Sequence, residues 1–143
     1  MIQVHGTSVA WKESALLLRG PPGSGKSDLA LRLIEAGAGL IADDQTRLTV
    51  QKGRLYAASP PSITGLLEIR GIGIVKVKAA PAAPLALVVD LVSRETLERS
   101  PEVTHCIYLD VTLPRLCLAP FEASAVAKLR HAMLASRDGG CAA

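Results

Sequence analysis

A phosphate-loop motif is the feature that most constrains how this chain folds. Eight consecutive residues satisfy the pattern G-x-x-x-x-G-K-[ST] at every fixed position. They are Gly20, Pro21, Pro22, Gly23, Ser24, Gly25, Lys26 and Ser27. Residues 15–19 before the motif are an apolar run of strand length, and residues 28–36 after it have helical character until Gly37 ends it. The motif therefore predicts a strand, a loop and a helix in an α/β domain.

The chemistry of this loop indicates a nucleoside triphosphate as the ligand. Its glycines let backbone N–H groups turn inward around an anion, and the following helix directs the positive end of its dipole at the same point. Lys26 supplies a positive charge for the outer phosphates, and the Ser27 hydroxyl completes a Mg²⁺ shell. A nucleoside triphosphate with Mg²⁺ is thus the expected ligand pair, and the family resemblance described below implies that the nucleotide is ATP.

Composition indicates one packed globular domain. The 143 residues are 49% hydrophobic and 20% charged, with no second domain boundary, so we expect residues 1–143 to form one domain with a loose tail at 137–143. The net charge is +3, but the basic residues are scattered and the four aromatic side chains are too few for a base-stacking platform, which argues against nucleic acid. The three cysteines lack CxxC spacing, which fits a reducing compartment. The sequence has no apolar stretch of membrane-spanning length and no leader pattern, so we expect a cytoplasmic protein.

Coarse patterning predicts a mostly β protein. Residues 2–10 read as a strand with a polar break, 46–51 and 54–57 as a hairpin around Lys52 and Gly53, and 66–75 as strand residues interrupted by two glycines. Further along, the pattern predicts a loop over 78–84, a buried strand over 85–92, helical turns over 93–98, a strand over 106–112 and a terminal helix over 122–135. The predicted fold class is α/β, a mixed sheet with flanking helices.

Two sets of acidic residues are candidates to complete the site. Asp90 ends a buried apolar strand, as the second acid of many phosphate-loop proteins does. Asp43 and Asp44 end another short strand, with Glu68 as a further metal ligand. Adjacent carboxylates repel each other unless a cation or proton offsets the repulsion. Spacing alone does not rank Asp90 below the doublet.

Taken together, the loop, the following helix, the acid doublet and the segment Leu67-Glu68-Ile69-Arg70-Gly71-Ile72-Gly73 resemble the catalytic domain of HPr kinase/phosphorylase. The Glu-Ile-Arg-Gly-x-Gly segment is that family's signature and is more specific than the loop. The resemblance implies a fold of the HPr kinase and phosphoenolpyruvate carboxykinase type. It also implies a short form without the amino-terminal regulatory domain that longer members carry.

The resemblance implies a function and roles for individual residues. The function is a protein serine kinase acting on the phosphocarrier HPr or its nitrogen-branch relative. Asp44 would accept the proton of the substrate serine, with Asp43 supporting it or the metal. Ser27 and Glu68 would hold Mg²⁺, and Lys26 would contact the phosphates. His5 matches the family's active-site histidine, although an isolated histidine is more often structural. Arg99 would be the family's catalytic arginine. Assembly into a homo-oligomer, a hexamer in the family, is also implied.

One segment departs from the family pattern. Members that dephosphorylate phospho-serine HPr carry Pro-Val-x-x-Gly-Arg-Asn before the last helix, whereas residues 119–125 here read Ala-Pro-Phe-Glu-Ala-Ser-Ala. The missing arginine removes a ligand for the phosphate nucleophile. We therefore expect kinase activity with weak or absent phosphorolysis, and an exposed Phe121 at the start of the helix.

Other interpretations differ in sequence features. A small-molecule kinase of the nucleotide-kinase type would need an arginine-rich lid insertion, and a GTPase would need an Asn-Lys-x-Asp motif. Neither occurs in the sequence. A catalytically idle ATP-binding module that signals through a partner is compatible with the loop and the doublet.

Overall fold

The computed structural model describes residues 1–97 and 104–137. Within those residues the chain forms eleven strands and two α-helices. The helices are α1 (Lys26–Glu35) and α2 (Ala125–Arg137). The strands are β1 (Ile2–His5), β2 (Thr7–Trp11), β3 (Ser14–Arg19), β4 (Gly39–Ala42), β5 (Gln45–Gln51), β6 (Arg54–Ala58), β7 (Leu66–Ile69), β8 (Gly73–Lys76), β9 (Ala83–Leu91), β10 (Thr104–Tyr108) and β11 (Val111–Leu118).

Nine of these strands form one mixed sheet, which confirms the predicted fold class. The phosphate-loop strand β3 pairs antiparallel with β2 on one side and parallel with β9 on the other. The first part of β9 also pairs with β6, and its last part pairs in parallel with β11. Strands β7 and β8 form a separate two-stranded hairpin. The carboxyl ends of the parallel strands β3, β9 and β11 consequently meet at one edge.

Apolar side chains alternate along β3 and β9 and fill a core on each face of the sheet. On one face Leu18 and Val89 pack with Leu33 of α1 and Leu129 of α2, all at most 1% exposed. On the other face Leu17 and its neighbours pack against the curled strands β5 and β6. This period-two pattern requires both faces of the central strands to be covered.

Helix α1 begins inside the loop because Gly25 takes the N-cap position with a left-handed φ of 102°. Leu29, Ala30, Leu33 and Ile34 are buried against the sheet, which is the spacing of a helix with one apolar face. Gly37 ends the helix with a φ of 115°. The predicted helix over 28–36 is thus confirmed, with its first turn two residues earlier.

The predicted hairpin around Lys52 and Gly53 is confirmed. Both residues have positive φ, 52° and 77°, and Gln51 pairs with Arg54 across the turn. Two-residue turns of this kind match the twist of the flanking strands.

The single strand predicted over 106–112 is wrong. A turn at Leu109 and Asp110, both with positive φ, divides the region into β10 and β11. Leucine at such a position is an unfavourable choice, so the sequence carries no turn signal there.

The predicted boundaries at three other places also shift. The expected loop over 78–84 is shorter, because β9 begins at Ala83. The terminal helix starts at Ala125 rather than residue 122 and includes Arg137, which was expected in the tail. The rest of that tail, residues 138–143, lies outside the described residues. In the described part of the chain, neither helix is long and apolar enough to cross a membrane.

Candidate active site

The phosphate loop opens into a cavity of about 470 Å³ at the carboxyl end of β3. The residues after β4, the end of β7 and the first turn of α1 supply its other walls. Its lining includes most of the side chains expected from the sequence, namely His5, Lys26, Ser27, Asp43, Asp44 and Glu68. The structure therefore brings these residues from four separate segments to one place.

Lys26 is folded into the loop. Its side chain is buried, and its ammonium group donates to the carbonyl oxygens of Gly20 at 2.6 Å and Pro21 at 3.1 Å. These carbonyls hold the positive charge on the inner side of the loop. An ammonium group in this position favours the binding of an anion by the same loop.

Asp43 is the most heavily hydrogen-bonded acid in the cavity. Its Oδ1 accepts from Ser27 Oγ at 2.8 Å and from Thr7 Oγ1 at 3.1 Å, and its Oδ2 accepts from the backbone N–H of Glu68 at 3.0 Å. This carboxylate therefore ties β2, α1 and β7 together at the site. It fixes the hydroxyl of the loop serine.

Asp44 has different surroundings, although it is the next residue. Its φ of 67° places it in the left-handed region, and its backbone N–H donates to Thr7 Oγ1 at 3.1 Å. Its carboxylate lies 2.7 Å from His5 Nε2, with 59% of the side chain exposed. The expected repulsion within the doublet is eased because each carboxylate has its own partners. Of the two acids of the doublet, Asp44 is the more exposed.

Thr7 contacts both acids of the doublet, and the sequence did not predict it as part of the site. It is fully buried, and its hydroxyl donates to Asp43 while accepting from the N–H of Asp44. One side chain thereby positions both acids. A lone threonine in a strand carries no sequence signal for such a role.

Glu68 and Arg70 reach the cavity from β7 and the turn that follows it. Both side chains are exposed, and the Arg70 guanidinium approaches the loop closely enough that a methyl group on Gly23 would lie 4.0 Å from its Nη2. Arg70 belongs to the signature segment, but the sequence reasoning gave it no role. It brings a second cation to the loop.

The donor set of the cavity fits a magnesium ion. The hydroxyl of Ser27 and the carboxylate of Glu68 are hard oxygen ligands, which Mg²⁺ prefers. Across the described residues, no group of three or more His, Cys, Asp or Glu side chains is arranged to hold a metal. A magnesium ion held by these two side chains would share its shell with phosphate oxygens, as is usual at nucleotide sites.

The other acid candidate, Asp90, is engaged elsewhere. Arg19 donates from Nε at 2.7 Å and from Nη2 at 2.8 Å, and Arg115 donates from Nε to the same carboxylate. Burial raises the pKa of the Asp90 carboxyl, but the hydrogen bonds and charges of the two arginines outweigh it, so its pKa lies below the ordinary value. Asp90 clamps the ends of β3, β9 and β11 together rather than offering free oxygens to a metal.

The sequence also led to expectations for Arg99 and Phe121. Arg99, the expected catalytic arginine, lies outside the described residues. Phe121 is 70% exposed, as expected, and its ring lies against the loop at Gly25. A β-carbon on Gly25 would sit 2.8 Å from Phe121 Cζ, so glycine is required there by this close contact and by its positive φ.

Comparisons with known proteins identify the family of this chain. The family model described as the HPr serine kinase C-terminal domain matches residues 1–114. The HPr kinase/phosphorylase of a Polaromonas species is 36% identical over 107 residues, which is 69% of this chain and 34% of that protein. The HPr kinase/phosphorylase of Clostridium tetani is 40% identical over 75 residues, or 52% and 25% of the two chains.

Among solved structures, the Hpr(Ser) kinase/phosphatase from Coxiella burnetii superposes with a TM-score of 0.86 at 23% identity, covering 98% of this chain and all of that chain. That likeness establishes the fold. The chain spans about a third of the length of the curated relatives it matches. Because the family model matches residues 1–114, from β1 well into β11, the chain belongs to the HPr serine kinase C-terminal domain family.

Proposed function

We propose that this chain carries the catalytic site of an ATP-dependent protein serine kinase that phosphorylates HPr or its nitrogen-branch relative. The observation that supports this most directly is the placement of Asp44. Its carboxylate is exposed, paired with His5 and in the same cavity as the phosphate loop. A carboxylate positioned in this way suits a serine hydroxyl as the acceptor of the phosphoryl group.

In the proposed reaction Asp44 acts as the general base. It takes the proton of the substrate serine hydroxyl while the serine oxygen bonds to the γ-phosphorus and the bond from that phosphorus to the ADP oxygen breaks. His5 Nε2 lies 2.7 Å from Asp44 Oδ1 and orients this carboxylate. The left-handed backbone at Asp44 and its bond to Thr7 hold the base in place.

The phosphates would meet the loop, Lys26 and Arg70. Preorganised positive charge is a main source of rate in phosphoryl transfer, because the reaction spreads negative charge over the phosphate oxygens. Ser27 and Glu68 would hold Mg²⁺, which neutralises phosphate charge when bound, and Asp43 orients the Ser27 hydroxyl. We also assign a catalytic role to Arg99, by family resemblance.

A transfer assay tests the function directly. The protein would be mixed with γ-labelled ATP, Mg²⁺ and a panel of HPr-type phosphocarriers, and the product examined for phosphoserine. Labelled phosphoserine on one carrier is the expected result. Nucleotide binding without transfer to any carrier would instead identify a regulatory ATP-binding module, and transfer to a small molecule would identify a different kinase class.

We further propose that phosphorolysis is weak or absent. The turn before α2 lacks the Gly-Arg pair of the reversible members, because residues 119–125 read Ala-Pro-Phe-Glu-Ala-Ser-Ala, so the arginine that would hold the phosphate nucleophile is missing. Incubating phospho-serine carrier with inorganic phosphate should release little pyrophosphate. Release at a rate comparable with the forward reaction would contradict this.

We also propose that the working protein is a cytoplasmic homo-oligomer, as the family resemblance implies. The thiols of Cys106 and Cys117 are free, which fits a reducing compartment.

A further inference from the structure

Phe121 is an aromatic side chain that the fold leaves open beside the phosphate loop. It is 70% exposed, whereas Leu118, Ala119 and Pro120 immediately before it are buried. Burying this ring within the chain's own core would have contributed to stability, so its exposure calls for an explanation.

The turn that carries Phe121 is held firmly on both sides. The Arg32 guanidinium of α1 donates to the Pro120 carbonyl and also pairs with Asp28 at 3.0 Å. The backbone N–H of Val92 donates to the Leu118 carbonyl at 3.0 Å. The ring is therefore presented in a defined position relative to the loop and to the first turn of α1.

The position of the ring is specific. It lies against Gly25, where the phosphate loop meets α1, and it contributes to the walls of two cavities. One is the cavity of about 470 Å³ that contains Lys26 and Ser27. The other is larger, about 980 Å³, and is bounded by Pro21 and Ser24 of the loop and by the segments that follow β9 and β11.

We propose that Phe121 is the platform on which the base of the bound nucleotide stacks while its phosphates occupy the loop. This inference rests on the proposed binding of ATP. A triphosphate fixed at Lys26 and Ser27 must extend its nucleoside away from the carboxylates of Asp43 and Asp44, and Phe121 is the aromatic ring that lines this cavity. Every base has a π-face, and stacking on an aromatic side chain needs no hydrogen-bond partner.

The charges around the ring favour a neutral occupant on its face. Glu122 beside it is already paired with Lys128 at 2.7 Å and with Arg94 at 3.6 Å. An uncharged, planar base fits this surface better than a further phosphate. Contact of Phe121 with the protein substrate is the competing possibility, and binding measurements separate the two.

The test compares ATP with inorganic tripolyphosphate, which has the phosphates but no base. Titration calorimetry would be performed with Mg²⁺ on the wild-type chain, F121A and F121W. The control is L134A, which removes an exposed apolar side chain of α2. We expect F121A to weaken ATP binding about tenfold. It should leave tripolyphosphate binding unchanged within about twofold, and F121W should retain the wild-type affinity for ATP.

The inference is overturned if F121A binds ATP as tightly as the wild type, or if it weakens ATP and tripolyphosphate equally. An increase only in the KM for the phosphocarrier would also overturn it and assign the ring to the protein substrate. Failure of the proposed ATP binding has a different signature, since wild type and K26A would then bind ATP equally, and failure of the kinase reaction alone would abolish transfer while leaving these affinities unchanged. Circular dichroism of each variant controls for folding.

Discussion

Asp44 is exposed and paired, while its neighbour Asp43 is enclosed by three donors, so the two acids of the doublet are not interchangeable. We expect Asp44→Asn to reduce the rate of phosphoryl transfer by about 10²–10⁴-fold, because the amide cannot accept the serine proton. ATP affinity should stay within about twofold of the wild type. Labelled-ATP transfer and calorimetry measure the two effects separately.

Asp110→Asn is the matched control for that variant. Asp110 is also an exposed aspartate with a positive φ, but it lies in the turn between β10 and β11. Normal transfer by Asp110→Asn is expected. If Asp44→Asn transferred phosphate normally and Asp90→Asn did not, the assignment of the base would be wrong.

A variant of Thr7 tests how much the reaction depends on the positioning of Asp43 and Asp44 by its hydroxyl. Thr7→Val removes a donor to Asp43 and leaves the N–H of Asp44 without its partner, so we expect a loss of about 1–3 kcal/mol in the free energy of unfolding and a lower kcat with nearly unchanged ATP affinity. Urea denaturation and steady-state kinetics measure these quantities.

Thr46→Val provides the comparison. Thr46 is another fully buried threonine, whose hydroxyl donates to the Gly6 carbonyl and bonds to Ser8 but does not touch either acid. It should lose comparable stability with little change in kcat. Equal losses of kcat in both variants would show that Thr7 acts only through stability.

Among single residues, the sequence predicted those that belong to a short motif with fixed spacing. The loop, Lys26 and Ser27 are recognisable because their spacing is fixed, whereas the doublet was ranked above Asp90 only by the family resemblance. Thr7 was missed because its contact with Asp43 spans 36 residues of sequence. The meeting of Arg70 with Gly23 depends in the same way on the placement of the β7–β8 hairpin.

The clamp formed by Arg19, Asp90 and Arg115 joins three elements. Because the folded-state pKa of Asp90 is lowered, its stabilising effect is present above the ordinary pKa of an aspartate and is lost as the pH falls through the folded-state pKa. We expect Asp90→Asn to lower the free energy of unfolding by about 1–3 kcal/mol at pH 7, since it leaves two guanidinium groups without a counter-charge.

Urea midpoints measured across pH give the check on this clamp. The gap between wild type and Asp90→Asn should be constant from neutral pH down to about 5 and narrow below about 4. A gap that widened on acidification would contradict the lowered pKa. The Asp110→Asn variant, which has no place in the clamp, should follow the wild-type curve.

Elements with a clear period or turn signal were predicted well, and those without one were not. Helix α1 and the β5–β6 hairpin were predicted because apolar spacing and the Lys52-Gly53 turn specify them locally. The β10–β11 hairpin was missed because its turn uses Leu109 and Asp110 in a conformation that glycine or asparagine normally takes. The late start of α2 reflects the turns that position Phe121, which no periodic pattern encodes.

For the whole molecule, the proposed oligomer predicts a measurable mass. A single chain has a mass of 15.0 kDa, so light scattering after size exclusion should give a multiple of that value, six for a hexamer. The measurement should be repeated over a range of protein concentrations with and without ATP. A mass of one chain under all these conditions would contradict the proposal.

The order of the strands could not be predicted from the sequence, because it depends on pairings between segments that are far apart in the chain. Strand β9 pairs with β6 at its start, with β11 at its end and with β3 along its other edge. The buried, apolar character of this strand was predicted, but a continuous apolar run does not specify its neighbours.

The position of β9 also has a consequence for biosynthesis. The loop motif is complete once residue 27 has been added, yet the parallel partner of β3 is residues 83–91. Pairings between segments so far apart form slowly and only after the later segment has been made. Until β9 has left the ribosome, the strand that carries the phosphate loop has β2 as its neighbour and an open second edge.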